Sequence, residues 1–148
     1  MIDDFHDLLR ELVNADVRFL VVGAHALSVH GIPRATGDLD VWVQRSPENA
    51  KAVVSALAAF GAPLGDLQVS VEDFVRPDVI AQLGLAPYRI DVMTSISGVD
   101  FDEAWAERVD GEIEGVHVPV LGLKAFVRNK RASGRTKDVA DLEALGEA

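Results

Sequence analysis

The chain has 148 residues, 49% of them hydrophobic, and no cysteine. It is therefore long enough to bury one core, and a disulfide framework, a thiolate metal site and a thiol nucleophile are all excluded. A formal net charge of −10 argues against broad, non-specific nucleic-acid binding, which needs lysine and arginine to neutralise phosphates.

No apolar run approaches the ~18–20 residues that cross a bilayer, and Met1–Phe5 carries no basic-then-apolar signal pattern. The expectation is one cytoplasmic domain over residues 1–148, without membrane contact. The charge is uneven, however. Between His117 and Lys137 lie Lys124, Arg128, Lys130, Arg131, Arg135 and Lys137 and no acid, while all 24 acidic residues fall elsewhere. A small polyanion can bind such a segment even where a long one is repelled.

In chain order, Phe5, Leu8, Leu9, Leu12 and Val13 form a helical stripe over residues 3–15, with Asp3 and Asp4 suited to its N-terminus. Val17–Val22 is nearly all apolar and predicts a central strand. A short helix over 24–31 ends at Gly31-Ile32-Pro33, because proline cannot continue it. Residues 38–44 alternate: Leu39, Val41 and Val43 face one way, Asp38, Asp40 and Trp42 the other. Ser46-Pro47 opens the clearest helix, which runs to Phe60-Gly61. Residues 62–76 read as loop with one helical turn at 71–75.

Two strands follow, Asp78–Leu83 and Tyr88–Thr94, joined by a Gly-Leu-Ala-Pro link that suits a hairpin. In the second, Arg89, Asp91 and Met93 share one face. Phe101–Arg108 predicts a short helix and Ile113–Val120 a β-ribbon around Glu114-Gly115. An exposed edge there is the expected place for self-association, for example as a homodimer. Two helices, Leu121–Arg131 and Thr136–Leu145, close the chain.

Two carboxylates at i and i+2 on a strand lie side by side and repel unless a cation sits between them. Asp38 and Asp40 are such a pair, and Asp91 projects from a strand of the same character. Beside them, the Gly23 turn enters a helix whose free amides suit a phosphate. Magnesium takes one or two carboxylates plus phosphate oxygens. Three acids, a glycine turn and a basic segment are the parts that phosphoryl or nucleotidyl transfer uses.

The stretches VVGAHALSVHGIPRATGDLDVWV, YRIDVMTS and LKAFVRNKRASGRTKDVADLEAL resemble the nucleotidyltransferase superfamily. They are most similar to its small single-domain bacterial branch, related to abortive-infection and toxin–antitoxin nucleotidyltransferases. The resemblance covers roughly residues 17–145. It implies an α/β (α+β) fold, a nucleotidyltransferase-like mixed β-sheet flanked by helices with two C-terminal helices. It also implies transfer of a nucleoside monophosphate from an NTP to an acceptor hydroxyl with loss of pyrophosphate. On that reading Asp38, Asp40 and Asp91 are catalytic and ligate Mg²⁺ or Mn²⁺. Gly23 and Ala24 hold a β- or γ-phosphate, and Lys124 and Lys137 neutralise the triphosphate. The acceptor (protein, RNA or small molecule) stays open. Where many members carry Gly-Ser or Gly-Gly, this chain has Gly23-Ala24, so relative to the Gly-Ser members a hydroxyl contact worth ~1.5–3 kcal/mol is missing and only backbone donors stay.

Plainer readings stand beside these. Asp38 and Asp40 also suit a solvated strand face, and Asp91 a pairing with Arg89 or Arg34. Arg34 and Thr36 either contact phosphate or brace their loop. His25 and His30 are five apart rather than four, which speaks against a shared metal. Lys124, Arg128 and Arg131 recur at i, i+4 and i+7, the spacing of one helix face. Trp42 and Trp105 read as packing residues. Two other functions remain: a nucleotide-binding or catalytically silent antitoxin-like partner of a toxin, and modification of a cationic antibiotic.

Overall fold

A computed structural model describes residues 3–33, 37–84 and 88–147. Its organising element is a six-stranded mixed sheet in the order β3-β4-β2-β1-β6-β5. The strands are β1 (Phe19–Val22), β2 (Asp38–Val43), β3 (Ile80–Leu83), β4 (Arg89–Met93), β5 (Val109–Ile113) and β6 (Val116–Val120). β1 runs antiparallel to β2 and parallel to β6, and β2 runs parallel to β4. The two outer pairs, β3–β4 and β5–β6, are antiparallel.

β1 is buried at every position, as its unbroken apolar run demands. On β2 the alternation is kept: Leu39, Val41 and Val43 are fully buried on one face while Asp38 and Asp40 open on the other. Trp42, next along the acidic face, is covered edge-on by Phe101 at 4.9 Å.

Eight helices surround the sheet among the described residues. α1 (Asp3–Asn14) buries Phe5, Leu8, Leu9 and Leu12 and packs on α3 (Pro47–Phe60), which in turn packs on α5 (Val71–Val75). Ser46 caps α3 by accepting the Asn49 amide at 3.2 Å, with Pro47 in the first turn and Gly61 left-handed at the end. The Asn49 side chain accepts from the Arg18 amide at 2.7 Å. It also donates to the Arg18 and Gln44 carbonyls at 3.0 and 2.8 Å. One buried amide thus joins the start of β1, the end of β2 and α3. The remaining helices are α2 (Gly23–Val29), α4 (Leu64–Leu67), α6 (Phe101–Ala106), α7 (Leu123–Ser133) and α8 (Thr136–Ala144). None is long and apolar enough to cross a membrane among the described residues.

Two elements differ from the sequence expectation. Residues 62–76 hold α4 as well as the expected turn of α5. The terminal ribbon begins at Val109 rather than Ile113, so the free edge is β5, while β6 is paired on both sides. Asp110, Gly111 and Glu112 are poor strand formers and hid this strand. Pairing with β6 overrides them, and Gly111 is required because an added Cβ would lie 2.8 Å from Val120 and 3.0 Å from Val29. The exposed Asp110 and Glu112 put charge on that edge, a common defence against edge-to-edge pairing.

Phe74 is the only residue of α5 that is fully buried. Phe74→Ala should therefore cost about 3–5 kcal/mol of stability, read from urea unfolding midpoints, by leaving a void under α3.

Candidate active site

The parallel register of β2 and β4 builds the site. Asp40 is the direct neighbour of Asp91, and Asp38 of Arg89. Adjacent strands are ~4.8 Å apart, so two carboxylates stand abreast with the third one pleat away. The convergence expected of Asp38, Asp40 and Asp91 is therefore present in the fold. All three line one cleft of about 540 Å³ together with Gly23, Arg89, Lys130, Arg135 and Lys137.

Gly23 is left-handed, with φ 69°. A Cβ there would lie 2.3 Å from Asp40 Oδ2, so the Asp40 carboxylate rests against a backbone that only glycine can supply. Ala24 follows in the first turn of α2, whose N-terminus has no side-chain cap.

Crowding shows in the electrostatics. Burial, then the charge of Asp91, raises the Asp40 carboxyl to about 6, with Asp38 adding to the rise and Lys137 and Lys130 opposing it. Burial also raises Asp91, against the pull of Arg89. Arg89 Nε lies 3.1 Å from Asp91 Oδ1, and its NH2 group lies 3.4 Å from Asp38 Oδ2 and 3.5 Å from Asp91 Oδ2. Among the described residues no three acid or imidazole groups form a ready-made cation cage. The donor set nonetheless suits magnesium, which needs one or two carboxylates and draws its other oxygens from phosphate and water. The buried Asp91 Oδ1 makes no hydrogen bond, although Arg89 Nε lies 3.1 Å away, so it is a poorly satisfied oxygen that suits a cation.

The cleft's basic wall comes from α7 and α8. Lys130 is buried and lies 3.0 Å from Asp138 and 3.5 Å from Asp141. Arg135 reaches Asp138 through Nε at 2.8 Å. Burial works against ionised Asp138, but hydrogen bonds from Arg135 and Lys130 outweigh it and hold the carboxyl down at about 2. Lys130 and Arg135 are not among the residues expected here, whereas Arg89 makes the pairing with Asp91 that the plainer reading of Asp91 expects.

Lys137 lies on the cleft as expected, but Lys124 does not. It lines a separate depression with Leu123, Val127, Arg128 and Arg131. Six residues of helix turn Lys124 away from Lys130, so the regular basic stripe faces solvent while the cleft lysine hides among buried positions. Arg34 and Thr36 lie outside the described residues. His30 donates through Nε2 to the Leu121 carbonyl at 2.7 Å, and His25 packs edge-on to Phe5 at 5.6 Å.

Two pH-dependent outcomes follow from these charges. A carboxyl raised to about 6 costs folding energy when ionised, and the cost fades as pH falls from 6 towards the unfolded value near 4. In chelator, Asp40→Asn should therefore be more stable than wild type at pH 7.5 by roughly 1–2 kcal/mol, with the gain vanishing near pH 4. Asp138 has the opposite sign: its contribution is complete above about pH 4 and is lost as pH falls through 2. Asp138→Asn should lose on the order of 2 kcal/mol at pH 7 in urea unfolding, with a smaller difference below pH 4.

No protein-family model matches the sequence. No curated protein is significantly similar to it. Among solved structures, the chain is similar to a Thermotoga maritima protein to which nucleotidyltransferase activity is provisionally assigned. The match has a TM-score of 0.63 at 18% identity and covers 97% of this chain and 91% of that one. Identity that low speaks for shared architecture rather than shared activity. The mixed six-stranded sheet, its flanking helices and the closing helix pair are a nucleotidyltransferase-like fold.

Proposed function

We propose that the chain is a divalent-cation-dependent nucleotidyltransferase that moves a nucleoside monophosphate from an NTP to an acceptor hydroxyl. One observation carries the reading: Asp40 and Asp91 are register neighbours on parallel strands, facing a cleft with a basic wall. A carboxylate pair is costly without a cation, and the basic wall beside it suits an anion. A metal–triphosphate complex answers both needs.

Asp40 and Asp91, with Asp38 at the cleft mouth, would hold Mg²⁺ or Mn²⁺, which when bound offsets negative charge on the reacting phosphate. The amides of Gly23 and Ala24 would receive phosphate oxygens. Lys137, with the charge of Lys130 behind it, would face the triphosphate tail in place of Lys124, since both line the cleft. The acceptor oxygen attacks the α-phosphorus, a new P–O bond forms, and the α–β bridging P–O bond breaks to release pyrophosphate. Asp91 takes the acceptor's proton, a role suited to a carboxylate whose proton affinity burial has raised.

A second reading is nucleotide binding without turnover, as in an antitoxin-like partner from a toxin–antitoxin pair. It is favoured by the absence of a hydroxyl at Ala24 and by an arginine among the acids. Incubation with each α-labelled NTP, Mg²⁺ or Mn²⁺, and cell extract separates the two. The enzyme should label protein, RNA or a small molecule, and Asp40→Ala or Asp91→Ala should lower the rate at least about a hundred-fold. No label from wild type, or undiminished label from both variants, would refute transfer. Binding of Mg·NTP without label would then support the silent partner.

A further inference from the structure

Arg89 sits directly across from Asp38 in the parallel β2–β4 pair and two residues before Asp91. Its guanidinium therefore lies between two of the three acids, where a cation would otherwise be drawn. The fit is loose. Nε and Asp91 Oδ1 are 3.1 Å apart, yet both are buried and neither makes a hydrogen bond. The NH2 contacts to Asp38 and Asp91 are 3.4 and 3.5 Å, well beyond the 2.7–2.9 Å of a tight charge-assisted fork. A buried donor and a buried acceptor lie side by side, and each is poorly served by the other.

We propose that Arg89 is a built-in counter-ion that competes with the divalent cation for Asp38 and Asp91 and couples cation binding to polyphosphate binding. The inference rests on the function proposed above. In the cation-free protein Arg89 offsets the repulsion among the acids. A metal ion entering alone must displace it and leave a part-buried guanidinium without its carboxylate partners. A metal ion entering with a polyphosphate supplies an oxygen anion for that guanidinium, so each ligand raises the affinity for the other, as linkage requires. The device selects the metal–nucleotide complex over the free ion.

Mn²⁺ binding, followed by loss of the free-ion electron paramagnetic resonance signal, tests this without turnover. Arg89 has 36% of its side chain exposed at the start of a strand, a place that tolerates glutamine. Arg89→Gln should bind Mn²⁺ alone about ten-fold more tightly than wild type, with Arg89→Lys in between. Mg²⁺ should also sharpen binding of a non-hydrolysable NTP analogue more in wild type than in Arg89→Gln, as measured by equilibrium dialysis. Urea midpoints confirm that the variants are folded. Unchanged or weaker Mn²⁺ binding by folded Arg89→Gln would overturn the competition and make Arg89 a residue that positions the acids. If Asp40→Asn binds Mn²⁺ as well as wild type does, the proposed function fails at its root and this inference falls with it.

Discussion

The central constraint in this molecule is the meeting of Asp40 and Asp91 on neighbouring parallel strands. Two ionised carboxylates at that spacing oppose the pairing that creates them, and burial raises the cost. The surroundings answer this with positive charge from three directions: Arg89 within the sheet, and Lys130 and Lys137 from the closing helices. Even so, Asp40 keeps a proton affinity far above that of an ordinary aspartate. The charge balance is left incomplete on the side that opens to the cleft. Stability is given up at one point, which is a familiar mark of a functional site.

Holding the basic wall in place is a second task, and α7 and α8 perform it through a buried network. Lys130 is fixed by Asp138 and Asp141, and Asp138 is shared with Arg135. A lysine with one acid removed would be a buried, partly uncompensated charge, so the group stands or falls together. Lys130 therefore projects its field into the cleft without the rotamer entropy of a free surface lysine. The helices do not merely cover the sheet. They set the position of the charge opposite the carboxylates.

Much of this could be read from the chain itself, for specific reasons. Period-two alternation put Asp38 and Asp40 on one face of β2 and Arg89 and Asp91 on one face of β4, and apolar content marked β1 as central. What alternation cannot give is which strands are neighbours. The Asp40–Asp91 register depends on a crossover through α3, α4, α5 and β3. Lys130 was missed because a charged residue on a buried helix face breaks the pattern used to find such faces. Lys124, Arg128 and Arg131 drew attention instead because they keep it. β5 was hidden by Asp110, Gly111 and Glu112, where pairing and close packing override local preference. Arg34 and Thr36 fall outside the described residues.

The register between β2 and β4 joins positions some fifty residues apart, and the wall opposite them comes from residues 130–137. During synthesis the glycine bend and the first two acids emerge early, yet they have neither a partner nor the Arg89 counter-charge until β4 has docked, and the lysines come only with the last helices. An unfinished chain is therefore not a weak version of the finished one. Its acidic strand lacks both the neighbour it pairs with and the cations that offset its charge, so the cleft is complete only late, with closure of the fold.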